Sequence, residues 1–350
     1  MDTPPKAINF ISGKANWLGK DLQHSPDWIH KFSREEIAEI KEAASKVISQ
    51  GYTLQNLTRE DFPLPSLSSI LRDICFELED GRGLKLLRGF PTSEFNTAEL
   101  RLIYWGIGLH IGTAVSQSKR NDYLGDVRDL GTGLDGPKFR GYTSSGELTY
   151  HSDAADVTGL FCLHPAKKGG LSRIVSAVAI HNEIRQSHPN LLDVLYQPYY
   201  WSMQGNELPG VPAYYTQPIF AIHDGYFASR YTRTHIRSAE MMTDLPGLSS
   251  EQTEALNLID EISARPEFHL TIMFEPGDIQ FLNNHLTLHT RTAFEDFPEA
   301  KRKRHLLRLW LSLPNGRPLS EGFKPFFRDV SAGAVRGGFP GTGEPQFTTI

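Results

Sequence analysis

The sequence has few cysteines, no long apolar run and no excess of positive charge. Only two of its 350 residues are cysteines, Cys75 and Cys162, and their spacing fits neither a disulfide framework nor a zinc ribbon. No segment approaches the roughly 20 apolar residues that span a membrane. The formal net charge of -5 provides no basic surface of the kind that binds nucleic acid. We therefore expect no membrane and no nucleic-acid partner.

The amino terminus also lacks a secretory signal. The segment MDTPPKAINFISGKANWLGKDL has no continuous apolar stretch followed by a small-residue cleavage site. A reducing, cytoplasmic location is the resulting expectation. With 39% hydrophobic and 22% charged residues, the composition is typical of a globular protein large enough to enclose a site.

The first part of the chain is predicted to be helical. SREEIAEIKEAASKVISQG begins with Ser33 and Glu36 in capping-box spacing and ends at Gly51, with apolar residues at helical intervals between them. A second helix is expected at about 67–79. A third follows Asn96, a residue type that favours helix N-caps. Before it, GLKLLRGFP has the pattern of a short buried strand.

From about Asp122 the pattern changes to short strands separated by turn-forming residues. TYHSD, GLFCLH and SRIVSA are strand candidates, and helices are expected near 177–187 and in SSEQTEALNLIDEISA. Alternating apolar residues from Phe268 to Phe281 flank the turn sequence EPGD and predict a β-hairpin. Repeated strands of this kind indicate a closed or sandwiched β core.

The stretch TYHSD places His151 and Asp153 two residues apart, which puts both on one face of a strand. Alone, the pair is compatible with half of a metal site, an acid–base pair or a hydrogen-bonded core pair. Downstream, NNHLTLH adds His289, and KRHLLRLW adds Arg304 and Arg308. Two histidines and one carboxylate can bind Fe(II) and leave three coordination positions open.

These motifs resemble those of the TauD/TfdA (taurine dioxygenase-like) family of Fe(II)/2-oxoglutarate-dependent oxygenases, which includes the clavaminate synthase group. The resemblance rests on the order and spacing of four motifs, HSD at 151–153, GGLS at 169–172, NNHLTLH at 283–289 and KRHLLRLW at 303–310. It implies an α+β fold, with a double-stranded β-helix (jelly-roll) core, flanking helices and a helical N-terminal layer.

The same resemblance implies one oxygenase domain over residues 1–350. Its expected parts are a helical extension at 1–82, a jelly-roll core at 83–338 with an insertion at about 190–265, and a tail at 339–350.

Roles for individual residues also follow from the resemblance. His151, Asp153 and His289 would hold Fe(II), with 2-oxoglutarate as cosubstrate and O2 as oxidant. Arg304 would bind the distal carboxylate of 2-oxoglutarate, since a planar guanidinium can clamp a carboxylate through two hydrogen bonds. Ser172 would add a hydroxyl donor, although GGLS departs here from the common GGDT pattern. The implied reaction oxidises a substrate C–H bond by hydroxylation, desaturation or cyclisation, and releases succinate and CO2.

The candidate substrate ligands are Arg308, which shares a face with Arg304 in a strand or a helix, and Arg336 of the glycine-rich tail. Arginines beside aromatic residues favour a small carboxylate-bearing or amino-acid-like molecule. The outcome of the oxidation and the oligomeric state are left open, with a homo-oligomer permitted.

Two other functions remain open from the sequence. A metal-dependent hydrolase or isomerase could use the same three ligands with a metal-bound water. A non-catalytic binding protein could keep the fold. Arg304 and Ser172 favour the oxygenase, because they would serve a dicarboxylate cosubstrate.

Overall fold

The computed structural model describes residues 9–131 and 144–348, and helices and strands are interspersed along them. The α-helices of this part of the chain are α1 (Gly19–Leu22), α2 (Arg34–Ser49), α3 (Ser68–Glu79), α4 (Thr97–Ile111), α5 (Ala177–Ser187), α6 (Pro189–Leu195), α7 (Arg233–Glu240), α8 (Ser250–Ala264) and α9 (Lys324–Phe327). Short 3-10 helices lie at Pro26–Trp28, Thr92–Glu94, Ala300–Arg302 and Glu321–Phe323. None of these helices is both long and apolar enough to cross a membrane.

The strands form one large sheet and several smaller ones. They are β1 (Ile29–Lys31), β2 (Leu84–Arg88), β3 (Thr113–Ala114), β4 (Leu124–Val127), β5 (Val157–His164), β6 (Lys168–Gly169), β7 (Ser172–Ser176), β8 (Pro198–Ser202), β9 (Tyr214–Pro218), β10 (Phe220–His223), β11 (Tyr226–Ser229), β12 (His269–Ile272), β13 (Ile279–Asn283), β14 (Thr287–Arg291), β15 (Phe294–Glu295) and β16 (His305–Ser312).

The large sheet has seven strands in the order β1-β2-β13-β5-β16-β3, with β4 also paired to β16. Its pairings are antiparallel except that of β1 with β2. A three-stranded sheet has the order β12-β7-β14, and two-stranded pairs join β8 with β9, β10 with β11, and β6 with β15. The protein is thus a mixed helix and sheet structure whose sheets are mostly antiparallel.

The predicted N-terminal helices cover one side of this sheet. Buried residues of α2, α3 and α4 form one hydrophobic cluster with β5, β13 and β16. The capping box predicted at Ser33 is present, since its side chain accepts from the Glu36 amide and the Glu36 carboxylate accepts from the Ser33 amide. Asn96 caps α4 in the same way. The N-terminal segment also contributes β1 to the sheet, which the sequence pattern did not predict.

The hairpin predicted between residues 268 and 281 is wrong. Strand β12 pairs with β7, whereas β13 pairs with β2 and β5, so the EPGD turn carries the chain from one sheet to another. Gly277 has φ +90° and approaches the Phe90 backbone so closely that a Cβ would lie 1.9 Å from its carbonyl oxygen. Apolar alternation identifies strands, but it does not identify the strand with which each one pairs.

Candidate active site

The three candidate metal ligands come from two segments that meet at one point. His151 and Asp153 precede β5, and His289 lies in β14. His151 is not in a regular strand as TYHSD predicted, but it forms isolated antiparallel bridges with His289 and Thr232. The His151 amide donates to the His289 carbonyl at 3.0 Å, and the reverse bond is 2.8 Å long. Because directly opposed residues share a face, both imidazoles lie on the face that carries Asp153.

The ligand atoms converge on a space that suits an ion. One donor atom from each of His151, Asp153 and His289 lies within 4.8 Å of the others. His289 Nε2 is 3.9 Å from Asp153 Oδ2, which is too long for a hydrogen bond. His151 Nδ1 lies 2.8 Å from the Thr149 carbonyl, so this nitrogen is the donor and Nε2 is left for a metal. The donor set therefore fits a divalent cation such as Fe(II).

The charges around these residues keep the ligands in metal-binding form. Burial by itself would raise the pKa of Asp153, but Arg308, the two ligand imidazoles and a hydrogen bond from Thr158 lower it to about 2. Burial, together with the neighbouring His151, lowers the pKa of His289 to about 3. A charged carboxylate and a neutral imidazole are the forms that coordinate metals.

Asn284 fixes the two ligand segments against each other. Its Oδ1 accepts from the Asp153 amide at 2.9 Å. Its Nδ2 donates to the Ala155 carbonyl and to Thr158 Oγ1, both at 3.0 Å. The sequence interpretation assigned no role to Asn284 or Thr158. The available signal was the position of Asn284 just before β14, the strand that carries His289.

Arg304 is a buried guanidinium with an unused donor. It is 4% exposed, its guanidinium carbon lies 5.1 Å from the centre of the Phe294 ring, and its Nη1 has no hydrogen-bond partner among the described residues. Burial lowers the pKa of Arg304 to about 10, so it remains a cation at neutral pH. A carboxylate bound here would satisfy the donor and neutralise the charge, which fits 2-oxoglutarate.

The GGLS motif lies beside Arg304. Gly169 and Gly170 both have positive φ, and a Cβ at Gly170 would lie 3.5 Å from Arg304 Nε. Ser172 is buried in β7, opposite Arg291 of β14, and its hydroxyl donates to Gln280 Oε1 at 3.2 Å. The glycine turn thus contacts Arg304 two residues before Ser172.

Arg291 is a second cation in this area that the sequence interpretation missed. Its Nη1 donates to the Ser144 carbonyl at 2.8 Å and its Nη2 to the Gly146 carbonyl, while its buried Nε has no partner within residues 9–131 and 144–348. Burial, and secondarily the charge of Arg304, lowers the pKa of Arg291 to about 10.

Arg308 lies directly at the candidate metal site. Its Nη1 is 3.5 Å from Asp153 Oδ1, its Nε donates to Gln117 Oε1 at 2.8 Å, and its guanidinium carbon is 5.0 Å from the Trp310 ring centre. A cation beside the coordinating carboxylate is in a position to contact whatever lies next to the metal.

The prediction for Arg336 requires a correction, because the structure does not place this residue with the candidate metal ligands. It is 1% exposed, and its Nε donates to Asp156 Oδ1 at 2.8 Å. Its other two guanidinium nitrogens donate to the Ser331 and Arg317 carbonyls. All three nitrogens are used within the protein, so we do not propose Arg336 as a substrate ligand. We expected Arg336 of the glycine-rich segment to contact the substrate, whereas the chain folds back and buries it against Asp156.

Comparison with known proteins identifies the family. The chain matches the family model described as taurine catabolism dioxygenase TauD, TfdA family, over residues 50–310. The chain belongs to this family. FR-33289 synthase of Streptomyces rubellomurinus is 36% identical over 312 residues, which cover 88% of this chain and 91% of that protein. The taurine hydroxylase-like protein SAT17 of Stachybotrys chartarum is 28% identical over 85% of this chain and 80% of its own.

Solved structures share the fold of this TauD/TfdA-family chain. An asparagine oxygenase in complex with Fe(II), 3-hydroxyasparagine and succinate has a TM-score of 0.60 and 18% identity, covering 81% of this chain and 93% of its own. The non-heme iron oxygenase OrfP in complex with Fe and alpha-ketoglutaric acid has a TM-score of 0.60 and 12% identity, covering 81% and 94%. With family membership established, the protein is an Fe(II)/2-oxoglutarate-dependent dioxygenase, as the sequence predicted, and not a hydrolase, an isomerase or a non-catalytic binding protein.

Proposed function

We propose that this enzyme oxidises a C–H bond of a small carboxylate-bearing or amino-acid-like molecule, with Fe(II) held by His151, Asp153 and His289. The supporting observations are the convergence of their donor atoms within 4.8 Å and the buried guanidinium of Arg304, whose Nη1 has no partner among the described residues. Bound Fe(II) and 2-oxoglutarate together supply the oxidising chemistry, which consumes O2 and yields succinate and CO2.

The residues around the metal would position the cosubstrate. Arg304 binds the distal carboxylate of 2-oxoglutarate through charge-assisted hydrogen bonds, and Ser172 donates a weaker bond by turning its hydroxyl away from Gln280. Both side chains are buried, so water competes little for these donors. Thr158 and Asn284 would hold Asp153 in the position in which it binds the metal.

Arg308 would bind the acidic group of the substrate. Its guanidinium contacts Asp153 and the Trp310 ring at the candidate metal site. The solved structures of similar fold include an asparagine oxygenase and OrfP in complex with (3S)-hydroxy-L-Arg. In addition, a uridine-5'-phosphate dioxygenase is 25% identical over 47% of this chain. These names support a small anionic or zwitterionic substrate.

The finer architecture belongs to the same proposal. A double-stranded β-helix is supported by the antiparallel pairing of β5 with β13 and of β7 with β14, which carries the ligand segments to one place. The single-domain division, the cytoplasmic location and a homo-oligomer remain predictions.

The test is a screen of substrate-stimulated succinate formation. Free amino acids and other small acids are each compared with their methyl esters, at fixed Fe(II) and 2-oxoglutarate. We expect stimulation by an acid that is lost on esterification, and a higher KM for that acid in Arg308→Leu with metal binding measured in parallel. Stimulation by neutral molecules alone would contradict the proposal.

A further inference from the structure

Arg230 lies close to one of the metal ligands. It directly follows β11, where the chain runs beside the segment that carries His151. Thr232 bridges His151, and the Ser152 amide donates to the Tyr231 carbonyl at 2.7 Å. Arg230 comes two residues before Thr232, and Asp153 comes two residues after His151. The charges of Arg230 and Asp153 are close enough to interact. Directly opposed residues share a face, so the Arg230 side chain leaves the backbone on the face of the metal ligands.

The Arg230 guanidinium is enclosed by aromatic rings. Its carbon lies 3.9 Å from the ring centre of Phe326, 5.2 Å from Trp201, 5.5 Å from Tyr215 and 5.9 Å from Phe327. The residue is only 2% exposed. Cation–π contacts attract the charge but provide no hydrogen-bond acceptors, so they only partly replace the lost water.

Arg230 also lacks the partners that other buried arginines have. Its Nε and Nη1 are fully buried, and no carboxylate or carbonyl among the described residues accepts from them. The Tyr215 hydroxyl beside it interacts with the guanidinium but is a neutral group. By contrast, Arg317 and Arg336 bond to carboxylates and carbonyls through all three nitrogens. A buried guanidinium with two nitrogens that lack hydrogen-bond acceptors is costly, and a bound anion would reduce that cost.

A row of aromatic rings connects Arg230 with Arg308. The Trp310 ring, which lies under Arg308, is 6.2 Å from Phe339, and Phe339 is 5.4 Å from Phe326, which lies under Arg230. The two cations thus lie at the two ends of one row of aromatic rings, the aromatic wall. Arg304 has a different ring neighbour, Phe294, so its environment is separate.

We propose that Arg230 binds an oxyanion of the substrate, a carboxylate, sulfonate or phosphate group, with Tyr215 as a second donor. This assignment rests on the proposed function. It adds a second anionic anchor to Arg308, so that a substrate with two acidic groups, or with one acidic group distant from the reacting carbon, fits the aromatic wall between them.

The test compares wild type with Arg230→Met and Arg230→Lys under anaerobic conditions with Fe(II) and 2-oxoglutarate. Calorimetric titration uses sodium acetate, sulfate and inorganic phosphate as probes, which separates planar from tetrahedral anions. We expect wild type to bind at least one probe, Arg230→Met to bind it at least tenfold more weakly, and Arg230→Lys to recover part of the affinity. Cosubstrate affinity should stay the same in all three proteins.

Thermal unfolding separates a binding role from a structural one. Methionine fits an aromatic cage without an unpaired charge, so Arg230→Met should melt at or above the wild-type temperature. The matched control, Arg336→Met, should melt lower. A destabilised Arg230→Met, equal probe affinity in variant and wild type, or no probe bound by wild type would each overturn the Arg230 assignment. If wild type failed to bind 2-oxoglutarate with Fe(II), the proposed active site itself would fail.

Discussion

Two histidine–carboxylate clusters take their histidines and carboxylates from the same two segments, residues 151–156 and 283–289. The ligand cluster comprises His151, Asp153 and His289, and the ion-pair cluster comprises Asp156, His285 and Arg336. In the ion-pair cluster, His285 Nε2 and Arg336 Nε both lie 2.8 Å from Asp156 Oδ1. In the ligand cluster, His289 Nε2 lies 3.9 Å from Asp153 Oδ2, and the neighbouring Arg308 Nη1 lies 3.5 Å from Asp153 Oδ1.

The difference lies in what satisfies the carboxylate. Oδ2 of Asp156 accepts from Ser312 Oγ at 3.1 Å and the Leu313 amide at 3.3 Å, so both of its oxygens are occupied by internal donors. Asp153 accepts one short hydrogen bond, from Thr158 at 2.8 Å, and retains lone pairs that face two imidazoles. At Asp156, internal donors occupy both carboxylate oxygens, so the histidine and the carboxylate form a structural ion pair. At Asp153, carboxylate lone pairs remain available, so the same two residue types can coordinate a metal.

The largest difference is expected when one histidine of each cluster is replaced by alanine in a separate variant. His289→Ala removes a ligand, so metal affinity should fall by more than the roughly 10- to 100-fold that loss of a supporting contact costs, and turnover should be lost. His285→Ala should keep metal binding while lowering thermal stability. Metal titration and succinate assays on both variants check this, and comparable metal affinity in His289→Ala would refute the ligand cluster.

The ion-pair cluster can be tested by replacing Arg336. Arg336→Met leaves Asp156 without its permanent cation in a buried place, which should reduce the free energy of unfolding by about 3–5 kcal/mol. Substrate KM, measured below the melting transition, should not change, because all guanidinium donors point into the protein. A raised KM with unchanged stability would restore Arg336 as a substrate ligand.

Arg304 differs from Arg336 in that one of its buried guanidinium nitrogens has no partner among the described residues. Arg304→Ala removes the cation from a buried carboxylate site, which typically costs about 2–5 kcal/mol, so 2-oxoglutarate should bind well over tenfold more weakly. The matched control is Arg302→Ala, since the Arg302 side chain is 57% exposed nearby. Cosubstrate affinity is measured by titration. Unchanged affinity in Arg304→Ala would point to Arg291 as the anchor.

Ser172 should give the smallest effect. Ser172→Ala removes a neutral hydroxyl donor worth about 1 kcal/mol, which corresponds to roughly a fivefold weaker binding of 2-oxoglutarate. Ser172→Thr keeps the hydroxyl and should bind like wild type. An effect as large as that of Arg304→Ala would mean that Ser172 acts through Gln280 or the glycine turn.

Local signals in the sequence predicted much of this structure. The caps at Ser33 and Asn96, the buried strand at Leu84–Arg88 and the helix at Ala177–Ser187 depend on interactions within a few residues. The pairing of β12 and β13 depends on distant strands, and alternation carries no information about partners.

The same limit applies to the candidate site. The motifs HSD and NNHLTLH led to the ligand prediction through their resemblance to the family, and the structure brings donor atoms of His151, Asp153 and His289 within 4.8 Å of one another. Neither the burial of Arg336 nor the cage around Arg230 follows from local sequence. The rings of that cage come from segments near residues 201, 215 and 326, which only tertiary folding brings together.

The bridges at His151 have a consequence for hydrogen exchange. This residue connects the segments that carry His289 and Thr232, yet each connection is an isolated bridge and not a regular ladder. Few backbone bonds must break for the segments to separate, so local opening here requires less free energy than opening of the central strands. A metal that joins His151 to His289 would act as a cross-link. Iron-free protein should therefore exchange the amides of His151 and Ser152 faster than iron-loaded protein, while the amides of β5 exchange at similar rates in both.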